Sequence, residues 1–152
     1  MIYHETLTSQ VSIRFIKKPL FEQTPPIQGM PHEISLIPRP LRLEAGEGSF
    51  PITPETSISW SGEGALPVAG LLAEYLRPAT GFALPVVPET SSQGRSIRLV
   101  CRGNPLPDAA GFYPEQYSIS VLEDSATLAA DSPVGLARAV QTLRQLLPCE
   151  IF

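Results

Sequence analysis

Two stretches of this chain repeat their apolar residues with the period of a helix, and the segments between them alternate with a period of two. In the first stretch Val68, Leu71, Leu72, Tyr75 and Leu76 fall at i, i+3, i+4, i+7 and i+8, one apolar face of a helix. Pro67 suits a first-turn position, and Thr80-Gly81 lies where a helix that has met Pro78 would end. In the second, Leu136, Val140, Leu143 and Leu147 make a buried seam, with Arg138, Gln141, Arg144 and Gln145 left in solvent. Ser132 is placed to cap this helix, Pro133 takes the first helical position, and Pro148 stops it.

The rest of the pattern is extended. Short pieces bounded by Gly or Pro are expected at residues 41–44, 49–52, 57–60 and 84–87. Ile97, Leu99 and Cys101 alternate with Arg98, Val100 and Arg102, which predicts a half-buried strand. Tyr117, Ile119 and Val121 alternate with Ser118 and Ser120, and Glu123-Asp124-Ser125 turns the chain into residues 126–130, a hairpin. The order strands, helix, strands, helix predicts an α+β domain. Short links favour a mixed, mostly antiparallel sheet, with both amphipathic helices on one face.

Composition sharpens this picture. Apolar residues make up 43% of the 152 and charged ones 17%, enough for one packed core and against wholesale disorder. A (β/α)₈ barrel needs about 250 residues. The formal net charge of −4 and the absence of a Lys/Arg stripe argue against nucleic acid. No apolar run reaches the roughly 18 residues of a membrane span. No secretory signal is legible in residues 1–21, because Arg14 and Lys17 interrupt the only apolar candidate, and this leaves the compartment open. Residues 1–33 read as an N-terminal extension, ending in the linker-like Thr24-Pro25-Pro26-Ile27-Gln28-Gly29-Met30-Pro31. Cys101 and Cys149 form no C-x-x-C pair; Cys101 reads as a buried small hydrophobe, and pairing between the two stays open.

From residue 34 onward specific residues carry a resemblance. They are Leu36-Ile37-Pro38-Arg39-Pro40 as an opening strand, and Thr80-Gly81-Phe82-Ala83-Leu84-Pro85-Val86 after the first helix. Glu115-Gln116-Tyr117-Ser118-Ile119-Ser120-Val121 follows as the first hairpin strand. The most specific series is Gly135, Ala139, Gln141-Thr142-Leu143 and Gln145-Leu146-Leu147-Pro148 in the closing helix. Over residues 34–148 the chain resembles the N-terminal, non-catalytic domain of β-N-acetylhexosaminidases of glycoside hydrolase family 20. The resemblance implies a zincin-like fold without a metal site, followed by a (β/α)₈ catalytic barrel. It makes residues 149–152 a truncated tail where that barrel would follow. It also implies a parent enzyme of a kind often periplasmic or secreted.

That family's barrel uses substrate-assisted chemistry, outside the usual two-carboxylate scheme, and requires an Asp-Glu dipeptide. This chain contains none, and Glu123-Asp124 has the reverse order in a turn. No catalytic residue is therefore expected here, and no cofactor. His4-Glu5 and His32-Glu33 each resemble the start of H-E-x-x-H, but the second ligand position holds Thr8 or Leu36, so no metal site is expected. Gly46-Glu47-Gly48 is a turn with no helix after it, hence no phosphate cradle. Tyr117 lies in phase with the core. Phe112 and Tyr113 are the aromatic pair that a ligand would use, and Arg39, Arg98 and Arg102 read as surface charges. The expected role is an accessory domain of a β-N-acetylhexosaminidase, silent alone and partnered by the barrel. The alternative is a free-standing glycan- or protein-binding module.

Overall fold

Alternation along the strands decides which side of the sheet meets the helices. The computed structural model describes residues 36–37, 40–42, 50–103, 109, 111 and 114–147. Strands β1 (Ser57–Ser61), β2 (Val86–Pro88), β3 (Ser96–Cys101), β4 (Tyr117–Val121) and β5 (Ser125–Ala130) form one sheet in the order β2-β1-β3-β5-β4. Helix α1 (Ala65–Thr80) follows β1, and α2 (Pro133–Leu146) follows β5. Ile58, Ile97, Leu99, Leu128, Ile119 and Val121 share one face, and with the buried sides of both helices they make a single core.

The mixed sheet and the one-sided helix layer stand as expected. The balance of directions does not: among the described strands β1/β2, β1/β3 and β3/β5 are parallel, and only β4/β5 is antiparallel. The reason lies in the links. Among the described strands, only the turn between Val121 and Ser125 is short enough to reverse the chain into its neighbour. The β1–β2 link runs through α1, and β5 inserts between β3 and β4.

Local chemistry explains the helix limits. Pro67 sits in the first turn of α1, where its missing amide hydrogen costs no helical bond. Pro78 lies inside the last turn, and the helix runs two residues beyond it. There Thr80 Oγ1 donates to the Leu76 carbonyl at 2.8 Å, and the Gly81 amide donates to the Arg77 carbonyl at 2.9 Å. Gly81 takes the left-handed conformation that such a stop needs, with φ 72°. At α2, Ser132 Oγ accepts from the Gly135 amide at 3.0 Å and itself donates to the Pro114 carbonyl. One hydroxyl thus caps the helix and ties down the lead-in to β4.

Three expectations need correction. Residues 84–87 do not form one strand: Leu84 has φ 37°, fully buried, so β2 begins only at Val86. Leu36 and Ile37 are not in a strand; Leu36 is buried and Ile37 exposed. Residues 50–52 are irregular, with Phe50 and Ile52 packed at the edge of the core. Residues 43–49, including Gly46-Glu47-Gly48, and Pro148 lie outside the described residues.

Candidate functional site

Both helices pack on one face of the sheet, and among the described residues no α-helix or strand covers the other, whose side chains follow from the same alternation. Opposite the core face stand Ser57, Ser59 and Ser61 on β1, Ser96, Arg98 and Val100 on β3, Ser125, Thr127 and Ala129 on β5, and Ser118 and Ser120 on β4. Parallel strands are commonly covered on both sides and apolar on both. Here hydroxyls and small residues take the second side. Ser57 Oγ lies 3.4 Å from Ser92 Oγ, Arg98 Nε donates to Ser96 Oγ at 3.2 Å, and Ser59 is 1% exposed with no partner for its hydroxyl among the described residues.

At the carboxyl ends of β3 and β5 this face opens into a cleft of about 250 Å³. The strand period carries Arg102, just past β3, and Asp131, just past β5, to that side. It carries Gln116 and Ser118 there from the start of β4, around Ala129. A guanidinium, a carboxylate, an amide and a hydroxyl thus converge on a floor that is low because Ala129 is small. Among the described residues the cleft has one carboxylate, Asp131. A glycosidase of the two-carboxylate type needs a facing pair. Among the described residues no group of three or more His, Cys, Asp or Glu side chains is placed to hold a metal ion.

The residues singled out from the sequence scatter. Phe112, Tyr113, Arg39, His4, His32 and Cys149 lie outside the described residues. Tyr117 faces the core as expected, its hydroxyl 2.5 Å from Thr142 Oγ1. Trp60 packs half-buried against the core. Cys101 is buried, with its thiol 3.3 Å from the Gly103 carbonyl. Glu123 and Asp124 sit exposed in the hairpin turn, where Ser125 Oγ donates to Asp124 Oδ1. Arg98 stays on the open face, whereas Arg102 moves to the rim of the cleft. Gln116, Ser118 and Asp131 were not anticipated. The signal for them was present: each is the polar neighbour of a core-facing residue, Tyr117 or Ala130, so each must point the other way.

Arg144 was expected in solvent and is not there. It is half-buried, its guanidinium carbon 4.1 Å from the centre of the Tyr75 ring, so that it bridges α2 to α1. Further along α2, Gln145 uses both ends of its amide. Its oxygen accepts from the Ile37 amide and its nitrogen donates to the Ile37 carbonyl, each at 2.9 Å.

A family model described as glycosyl hydrolase family 20, domain 2, matches residues 33–150. The chain belongs to glycosyl hydrolase family 20. Within it, the chain corresponds to the N-terminal, non-catalytic domain, as the residues of the closing helix had suggested. A curated relative, the β-hexosaminidase of Porphyromonas gingivalis, is 30% identical over 119 residues, covering 78% of this chain and 14% of that protein. A Streptomyces plicatus β-hexosaminidase variant solved with its product GlcNAc superposes with TM-score 0.64 at 34% identity, covering 83% of this chain and 23% of that one. The family 20 β-N-acetylhexosaminidase of Streptomyces coelicolor gives TM-score 0.59 at 37% identity, over 71% of this chain and 20% of that one. This family 20 domain therefore spans 14% of its curated relative and less than a quarter of each of these two solved chains.

Proposed function

We propose that this chain is the accessory, structural domain of a β-N-acetylhexosaminidase, an enzyme that releases terminal N-acetylhexosamine residues from glycans. On this reading the folded unit is residues 34–148, with residues 1–33 an extension ahead of it. Its partner is a (β/α)₈ catalytic barrel, and it hydrolyses no glycoside by itself. The observation that carries the reading is the match of residues 33–150 to the domain, set against relatives whose length lies mostly outside that match. Supporting it, the chain has no Asp-Glu dipeptide, the pair that substrate-assisted chemistry in this family uses. Among the described residues the polar cleft offers Asp131 as its single carboxylate.

The test is direct. The purified 152-residue chain, incubated with a chromogenic N-acetylglucosaminide, should release the chromophore no faster than buffer. Turnover at ordinary enzymatic rates, about 1 per second or more, would overturn the reading.

A further inference from the structure

In the cleft on the second face of the sheet, three of the four polar side chains are uncommitted. Arg102, Ser118 and Asp131 have no side-chain hydrogen-bond or ion-pair partner among the described residues. The opposite charges of Arg102 and Asp131 cancel over the cleft as a whole. A bare anion would meet Asp131, and a bare cation would meet Arg102. Neither is favoured over the other.

What satisfies both sides is a neutral group that accepts and donates from adjacent atoms, and vicinal hydroxyls do this. One hydroxyl accepts from the guanidinium fork of Arg102 while its neighbour donates to the carboxylate of Asp131. Ser118 can do either, and the methyl of Ala129 offers the C–H face of a ring a small apolar floor. At about 250 Å³ the cleft lies just below the usual range of ligand pockets, room for one ring and not for a long chain.

We propose that this cleft binds one neutral pyranose unit of a glycan, held through its hydroxyls by Arg102 and Asp131. The site lies on the face away from the helices and contributes binding, not catalysis. The choice of N-acetylglucosamine as the probe rests on the accessory-domain reading; the choice of a neutral polyol rests on the cleft alone.

An open cleft with so few contacts gives weak affinity, a dissociation constant on the order of 1 mM. Titration of the isotope-labelled chain with N-acetylglucosamine should shift backbone amides at 102–103, 116–118 and 129–131, and the shifts should saturate. Arg102→Ala and Asp131→Asn should each weaken binding about tenfold or more, as expected for hydrogen bonds to charged groups. Both side chains are exposed, so both variants should keep the wild-type spectrum elsewhere. Arg98→Ala, on the same face outside the cleft, should leave binding unchanged.

Three results would overturn the proposal. They are no saturable shift with sugar in the tens of millimolar, undiminished affinity in both cleft variants, or equal occupancy by acetate or glycine, which would make the cleft a charge site. Any of these leaves the accessory-domain reading intact, because that reading fails only if the chain itself hydrolyses the chromogenic substrate.

Discussion

Gly135 shows how one atom decides a contact. In the first turn of α2 an alanine would by propensity be worth about 1 kcal/mol over glycine. A Cβ there, however, would lie 2.7 Å from the Gln116 carbonyl oxygen and 3.2 Å from Ala130 Cβ, so backbone would have to move. Overpacking of this kind costs about 1–3 kcal/mol, more than the propensity returns. Gly135→Ala should therefore lower the stability of the domain by about 1 kcal/mol or more in a denaturant melt, opposite in sign to an ordinary helical glycine. Leu84 is a second case where a single residue bends the rule. Its left-handed backbone carries strain of about 1–3 kcal/mol. It is held by full burial of the side chain and by Arg77, which donates to the Ala83 carbonyl at 2.8 Å and the Leu84 carbonyl at 3.2 Å. Reading residues 84–87 as strand failed for that reason. Apolar content is visible in a sequence, but the sign of φ at a leucine, stabilised by an arginine reaching back from the preceding helix, is not.

Among the elements, the two helices were the most legible, since cap, seam and stop each follow from local chemistry. Ser132, Pro133, Leu136, Val140 and Leu143 all sit where periodicity put them. Period alone could not place Arg144. The helical wheel puts its position at the edge of the seam, and whether it reaches water depends on the neighbouring helix. Tyr75, half-buried on α1, supplies the ring it covers. A cation–π contact at such a site contributes about 0.5–1 kcal/mol. Arg144→Ala should cost about that much. In a double-mutant cycle with Tyr75→Leu the coupling should account for most of the loss. Additive single effects within about 0.3 kcal/mol would show that the contact contributes nothing. The polar cleft was legible only in part. Alternation assigns Gln116, Ser118 and Asp131 to the open face, but their convergence with Arg102 depends on β5 lying between β3 and β4.

That pairing belongs to the molecule as a whole, and it is where the sequence was least informative. Strand existence came from alternation, and strand order came from nothing local. The parallel alignment of β1, β3 and β5 requires helices or long links to return the chain to the same end of the sheet. It sets all three carboxyl ends on one side, where the cleft lies. The short hairpin was predictable because its turn residues are adjacent; the crossovers were not, because their partners lie dozens of residues apart.

The clasp between Gln145 and Ile37 spans 108 residues and has a bearing on time. Closing so long a loop is entropically costly, so this contact should form late, after the hairpin and α2 have assembled. A contact missing from the folding transition state affects the rate of leaving the native state, not the rate of reaching it. Gln145→Ala should accordingly leave the refolding arm of a chevron unchanged. It should speed unfolding about fivefold to tenfold, the share expected of two exposed hydrogen bonds. Slower refolding would show the clasp to be part of the nucleus. With the expected outcome, one glutamine side chain acts as a kinetic latch, setting how long the folded domain keeps its lead-in segment in place.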